Sequence, residues 1–385
     1  MTMTGTPPTP GDVLEGRVGP HDAVAQATPG RYLRVDTTGR WLLAHVGGSF
    51  AHRTMDGLVV RKTAAGAGRL APAEARAVHE AVPALARELA ALARELPREQ
   101  VQLARGTPEE LADRLLATEA WTPERLAGEA DRFAAAYPQP VAVLPPDRYR
   151  DVVVQPATGC PNGLCTFCTL YTEPDFRPLT LDRFRAHVGA VKELLGPLLH
   201  QRDGVFLGSA SALSLSHRSL LPVLEEVERS LGRRKRGVAS FLDPDRAPRR
   251  SPEQWRAAAD AGLTVAVLGL ETGAAALRRE LGKSAKLDHV AAVSEAIGGG
   301  GVARAFTVLA GPGGAARADE HLDGTAAFLA SLDLERTDRI YLSPLRGSLP
   351  SDDLVRETAR LREALKGATS ARVIPYQLER FRYYA

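Results

Sequence analysis

From Val152 to the C-terminus, short apolar runs alternate with amphipathic stretches, and this alternation constrains the fold more than any other feature of the chain. "DVVVQP" precedes "LDRFRAHVGAVKELL", "GVFLGS" precedes "RSLLPVLEEVERSLG", and "GVASFL" precedes "SPEQWRAAADAG". "TVAVLGL", "RAFTVLAG" and "RIYLSPL" follow, each with a helical stretch behind it. Apolar runs without polar alternation are the mark of strands buried on both faces, which a parallel sheet covered by helices requires. Six such units in about 215 residues predict an α/β fold, a parallel (β/α) TIM-like barrel that is partly or fully closed. In such a barrel the C-terminal ends of the strands carry the chemistry. A last segment, "ARVIPYQLERFRYYA", is expected to add a closing strand.

Upstream the pattern differs. "RYLRV" and "RWLLAHV" flank the turn "DTTG" and read as a small β unit between about Arg31 and Lys62. Residues Ala71 to Tyr137 read as helical: Val82, Leu85, Leu89, Leu92 and Leu96 draw one apolar stripe, with Pro83 expected in a first turn or at a kink. Thr107-Pro108-Glu109-Glu110 and Ser251-Pro252-Glu253-Gln254 are capping boxes that start helices. The expected organisation is a disordered Pro/Gly/Thr-rich lead over residues 1–28, a β-plus-helical region over 29–148, the core barrel over 149–348, and a C-terminal helix with a closing strand over 349–385.

Composition excludes little. Hydrophobic residues at 44% and charged residues at 25% are the balance of a globular protein. No apolar run approaches the ~18 residues of a membrane span, and "MTMTGTPPTPGD" has neither the basic start nor the apolar stretch of a secretory leader, so a cytoplasmic location without membrane association is expected. The net charge of +3 is spread along the chain, which argues against a nucleic-acid partner; "GRRKRG" reads as a solvated turn.

All three cysteines lie in "CPNGLCTFC": Cys160, Cys165 and Cys168. They follow directly on the first barrel strand, with Gly159 at the turn. Three clustered thiols cannot form a disulfide framework and point to metal or redox chemistry. A structural zinc would want a fourth ligand, and His187, the nearest downstream histidine, falls in a helical stretch; a catalytic zinc with three ligands stays open. A cubane iron–sulfur cluster suits three cysteines with one iron left for an external ligand.

The segment resembles the cluster loop of the radical S-adenosylmethionine (radical SAM) superfamily in its place after the first strand, its final Cys-x-x-Cys and the aromatic Phe167 before the last cysteine. It differs in having four residues, not three, between the first two cysteines. The resemblance spans about Val152 to Leu345 and implies a 4Fe–4S cluster on Cys160, Cys165 and Cys168. It further implies S-adenosylmethionine chelated by the open iron and cleaved reductively to a 5′-deoxyadenosyl radical that abstracts hydrogen from a small-molecule substrate. A reductase, flavodoxin or ferredoxin would supply the electron. Further strand ends match in order. Gly208 and Ser209 stand where the methionine amino group is received, with Phe167 packed near the cofactor and Asp243 at the third strand end. Glu271 and Thr272 stand at the ribose position, and Gly311 beside the adenine.

Two other classes fit the same residues: a tRNA- or RNA-modifying enzyme, and a non-catalytic zinc or iron–sulfur redox sensor. "DEHLDG" has the opening pattern of cobalamin-binding domains, yet it falls in a barrel helix and lacks the rest of that motif, which leaves His321 a surface or helix-packing residue. His45 and His52 read as strand and loop residues, and no phosphate-binding Gly-x-x-x-x-Gly-Lys occurs. Arg246, Arg249, Arg250 and Arg346 lie near strand ends, either to hold an anionic group or as solvated loop residues.

Overall fold

The computed structural model describes residues 11–54, 56–63, 66–137, 139–171 and 175–376, in two compact units. The first unit contains the residues up to Ala136 together with Lys192–Gln201; the second contains Tyr137–Val191 and the described residues from Arg202 on.

In the first unit, seven antiparallel strands follow one another: β1 (Leu14–Val18), β2 (Asp22–Ala27), β3 (Arg31–Asp36), β4 (Trp41–Val46), β5 (Ser49–Arg53), β6 (Val59–Thr63) and β7 (Gly66–Arg69). Helix α1 (Pro72–Glu95) leads to β8 (Val101–Leu103), which pairs parallel with β1, and then to α2 (Pro108–Leu116) and α3 (Pro123–Ala136). The sheet shows the period of two that one buried face demands: in β3, Leu33 and Val35 are buried while Tyr32 and Arg34 are partly exposed. The stripe of α1 supplies Val78, Val82, Ala86, Leu89 and Ala93 to the same core, and the helix runs through Pro83. Thr107 caps α2 as its sequence requires, its hydroxyl accepting the Glu110 N–H at 3.1 Å while the Glu110 carboxylate accepts the Thr107 N–H at 2.9 Å.

The expected disordered lead is corrected here, because residues 14–18 and 22–27 form β1 and β2. In β2 the buried side chains Ala23, Ala25 and Ala27 are small, and β1 carries a glycine and two charged residues, so the strand state comes from pairing with β3 and β8 and not from local propensity. Residues Met1–Pro10 lie outside the described residues.

The second unit is a seven-stranded parallel sheet in the order β9 (Val152–Val154), β12 (Val205–Leu207), β13 (Val238–Leu242), β14 (Leu263–Glu271), β15 (Ala303–Ala310), β16 (Arg339–Pro344) and β17 (Arg372–Pro375). A two-stranded hairpin, β10 (Ala157–Thr158) with β11 (Arg177–Pro178), interrupts the first crossover. The crossovers carry α4 (Leu181–Leu195), α5 (His217–Leu231), α6 (Pro252–Asp260), the pair α7 (Ala275–Glu280) and α8 (Leu287–Gly299), α9 (Ala318–Ala330) and α10 (Ser351–Ala368). Six strand–helix units and a seventh strand bear out the expected barrel, which is partial: β9 and β17 are edges that do not pair with each other. The turn before β9 reaches back to β16, where the Asp147 carboxylate accepts from Arg339 Nε at 2.9 Å and from the Tyr341 hydroxyl at 2.7 Å. Helix α10 and β17 continue the alternation of the barrel. The tail from residue 377 lies outside the described residues. None of the described helices is long and apolar enough to cross a membrane.

Candidate functional site

The three cysteines sit on the loop that leaves β10, each partly exposed. Two glycines hold the loop in place. Gly159 has φ +73°, and a Cβ there would come within 2.0 Å of the Asp175 carbonyl, so only glycine permits the returning chain to close on it. Gly282, just past α7, also has φ +73°, and a Cβ there would meet the Leu164 carbonyl at 2.0 Å. The cysteine loop lies directly on this second segment. Thr166 donates its N–H to the Leu281 carbonyl at 3.2 Å and its hydroxyl to the Glu280 carbonyl at 3.1 Å. Asn162 donates to the Cys165 sulfur at 3.1 Å, and the Gly163 N–H points at the Cys160 sulfur at 3.5 Å. Leu164 and Leu170 are exposed beside the thiols.

As protein alone, the thiols are not gathered. Among the described residues no three His, Cys, Asp or Glu side chains converge as a metal-holding group. Burial pushes the Cys165 thiol up to about 11, against the pull of Lys283 and the Asn162 hydrogen bond, so a metal would have to displace a proton there. Burial, with Cys168 and Cys160 nearby, likewise raises the Tyr171 phenol. His187 supplies no fourth ligand, since its Nε2 accepts the Gln155 N–H at 2.8 Å. The donor set is three soft sulfurs on a single loop, two of them facing N–H donors. That set fits a cluster held by three cysteines better than a closed four-ligand zinc site.

Beside the loop, at the C-terminal ends of β13 and β14, lies a buried charge cluster. Lys283 Nζ stands 3.1 Å from an Asp243 carboxylate oxygen and 3.9 Å from a Glu271 oxygen. Burial disfavours the ammonium, yet Asp243, Glu271 and Cys165 together hold the Lys283 pKa above its ordinary value. Burial raises the Glu271 carboxyl, with Lys283 and Arg278 opposing. One cation therefore faces two buried carboxylates, a local excess of negative charge that a cationic ligand would relieve. Asp245 is engaged away from this cation, taking Arg278 through two hydrogen bonds of 2.8 and 2.9 Å and accepting the Ser284 N–H. Arg250 is buried and donates to the Leu213 and Leu215 carbonyls, which makes it structural.

Backbone strain marks the same place. Among the described residues, Ser209 (φ +81°) and Glu271 (φ +66°) are the only non-glycine residues with left-handed φ. Ser209 follows β12, and Glu271 ends β14 where the β14–β15 register shifts between Gly269 and Glu271. The Thr272 N–H closes a three-residue turn on the Leu270 carbonyl at 2.8 Å around Glu271, a rare and strained arrangement at positive φ. The Ser209 hydroxyl is buried without a hydrogen-bond partner among the described residues.

Phe167 is partly buried between two of the cysteines. A Cβ on Gly208 would press on Val153 and Gln155 at 2.9 Å, so its close neighbour is β9 and the residue following it. Gly311, with φ +88°, faces Ser348, Leu349 and Leu354. Thr272 is wholly buried and its hydroxyl is engaged by the Ala274 N–H and His321, so its side chain supports the Glu271 turn. Lys283 and Asn162 escaped the sequence reading. Lysine is scarce in this chain, with six in all, and two of them, Lys283 and Lys286, within four residues of each other after a strand-end glutamate were the available signal for Lys283.

No family model and no curated protein matches the chain. Solved structures do. The chain is similar to the cobalamin-dependent S-adenosylmethionine radical enzyme OxsB at 14% identity and a TM-score of 0.36, over 64% of this chain and 33% of that one. It is similar to methylornithine synthase, PylB, at 16% identity and 0.40, over 61% and 73% of the two chains. A third is coproporphyrinogen III oxidase, HemN, from Escherichia coli, described as a radical SAM enzyme, at 14% identity and 0.43, over 61% and 56%. The chain spans about a third of the length of OxsB. Likeness this distant carries nothing about chemistry, which has to come from the residues.

Proposed function

We propose that the chain is a radical SAM enzyme, with Cys160, Cys165 and Cys168 holding one 4Fe–4S cluster and the adjoining strand ends holding S-adenosylmethionine. The observation that carries this reading is the coincidence of strain and motif. The two left-handed non-glycine residues, Ser209 and Glu271, are both residues that the resemblance places at the cofactor. Strained backbone persists where neighbours over-determine it, and it clusters at functional sites.

The chemistry supplied when both groups are bound is one-electron reductive cleavage leading to hydrogen abstraction from a substrate. The protein's part is to hold and to shield. Asn162 donates to the Cys165 sulfur and so favours its thiolate form, and the Gly163 N–H points at the Cys160 sulfur. Lys283 offers a buried positive charge that favours the thiolate form of Cys165. Ser209 presents an unused hydroxyl, and Asp243 and Glu271 present carboxylates whose excess charge suits a ligand bearing sulfonium and ammonium groups. Every cysteine is taken by one cluster, which leaves none for an auxiliary cluster and favours hydrogen abstraction from a small metabolite over sulfur insertion. A reductase, flavodoxin or ferredoxin is the fitting electron donor.

The test is anaerobic reconstitution with iron and sulfide, followed by S-adenosylmethionine and dithionite. The expected result is a brown protein that forms 5′-deoxyadenosine and loses both colour and product in Cys165→Ala. A colourless protein that takes up one zinc in place of a cluster would overturn the reading.

A further inference from the structure

We propose that His321 is a positioning residue for Glu271: from helix α9 it holds, through Thr272, the strained turn that presents the Glu271 carboxylate. The inference rests on the reading of Glu271 as a cofactor contact.

The β14–α7 turn and α9 meet backbone to backbone. A Cβ on Gly273 would lie 2.4 Å from the Gly324 carbonyl and 2.7 Å from the Thr325 Cα, so nothing larger than glycine fits between them. Across this contact the turn's N–H groups are received by hydroxyls. Thr325 Oγ1 accepts the Gly273 N–H at 2.9 Å, and Thr272 Oγ1 accepts the Ala274 N–H at 3.1 Å. His321 Nδ1 lies 2.8 Å from Thr272 Oγ1 and 3.3 Å from Thr325 Oγ1. All three side chains are fully buried.

The protonation pattern follows from the partners. Burial lowers the imidazole to about 4, and contact with the Leu309 backbone opposes this only in part, so the ring is neutral at working pH. With the Thr272 oxygen occupied by the Ala274 N–H, the Thr272 hydroxyl proton is available to Nδ1, and the neutral ring accepts it. A bond to a buried acceptor is costly to leave unmade. Rotation of Thr272 away from His321 would release the Ala274 N–H, and with it the turn that keeps Glu271 at positive φ. The strain at Glu271 is thus balanced from a helix that the chain adds only after β15.

The experiment measures binding of S-adenosylhomocysteine, an unreactive probe with the same adenosine, to the reconstituted protein by calorimetry. The variants are Glu271→Ala, His321→Leu, their double, and His321→Asn, whose side-chain oxygen can replace Nδ1. Glu271→Ala and His321→Leu are each expected to weaken binding about 10-fold, the equivalent of one lost hydrogen bond. The double variant should bind like Glu271→Ala alone, and His321→Asn should stay within about 3-fold of the parent, with iron content unchanged throughout. Thr325→Val, which removes the acceptor for Gly273 together with the 3.3 Å contact to His321 Nδ1, gives the same reading should His321→Leu not fold. Parental binding by His321→Leu, equal weakening by Leu and Asn, or an additive double variant would each overturn the inference while leaving the role of Glu271 standing. Parental binding by Glu271→Ala would overturn both.

Discussion

Replacing the two left-handed residues by glycine separates stability from function. An L-residue in the left-handed region costs about 1–2 kcal/mol, and glycine returns about 0.5–1 kcal/mol of that through its larger unfolded-state entropy. For Ser209→Gly the balance includes a second gain, because the buried hydroxyl has no partner among the described residues and such a group costs about 1–3 kcal/mol. Ser209→Gly should therefore stabilise the protein by at least about 1 kcal/mol. For Glu271→Gly the losses are a Lys283 contact at 3.9 Å and a hydrogen bond from the Thr307 hydroxyl at 3.3 Å, both long, and Lys283 keeps Asp243 at 3.1 Å. The carboxyl's raised pKa shows that its ionised form is not fully compensated by the protein alone. The net should fall within about 1 kcal/mol of zero, where emptying an ordinary core position costs about 2–5 kcal/mol. Urea unfolding followed by circular dichroism measures the stability, and calorimetry with S-adenosylmethionine measures the binding, which should drop at least about 10-fold in Glu271→Gly. A loss of about 3 kcal/mol or more in Glu271→Gly is the cost of breaking a buried ion pair. It would show that Glu271 is there to pair with Lys283, and the argument from strain to function would fail.

Three further outcomes follow from the same structure. In the first unit, Glu129 is buried between Arg40 and Arg53, and burial already lowers Arg53 to about 10. Glu129→Gln should cost about 3–5 kcal/mol in urea unfolding, whereas Glu80→Gln, at the exposed Arg76 pair, should cost under about 1 kcal/mol. Burial, aided at His79 by the Arg53 charge, lowers His79 to about 4, and burial does the same at His321, from an ordinary value of 6.5. The unfolded chain therefore binds more protons between those values. The stability these groups confer is complete above 6.5 and is lost as pH falls toward 4. Asp151, raised to about 6 by burial, acts oppositely, its contribution fading as pH rises from 3.8 through 6. Urea midpoints from pH 7 to 4.5 should fall, and should fall less steeply in His79→Phe; an unchanged slope would contradict the assignment. Finally, Gly282→Ala places a methyl 2.0 Å from the Leu164 carbonyl. It should reduce iron retained per chain while the circular dichroism spectrum of the barrel is kept; full iron content would show that the cysteine loop does not need this seat.

Much of the architecture was legible because it is written in local patterns. The apolar runs "VVV" and "VFL" and the mostly apolar "VASFL" became buried parallel strands, and the capping boxes at Thr107 and Ser251 start helices where their residue types can satisfy open N–H groups. The strands β1 and β2 were not legible. Leu14–Val18 and Asp22–Ala27 carry little β preference of their own, and they become strands because β2 pairs with β1 and β3 while β1 also takes β8 from far along the chain.

The site divides along the same line. Three cysteines within nine residues, following a strand, are a local fact, and by themselves they narrow the chemistry of the chain to metal or redox work. Which residues surround them was decided only by folding. The charge of Lys283 is felt at Cys165 because Gly282 allows the cysteine loop to settle beside it. Glu271 takes its left-handed turn because two strands slip in register. His321 meets Thr272 because a helix nearly fifty residues later crosses at two glycines, Gly273 and Gly324. Periodicity and caps are set by neighbours a few residues apart, so sequence displays them. Register, strain and burial of a charge are set by contacts between distant segments, and only the packed chain fixes those.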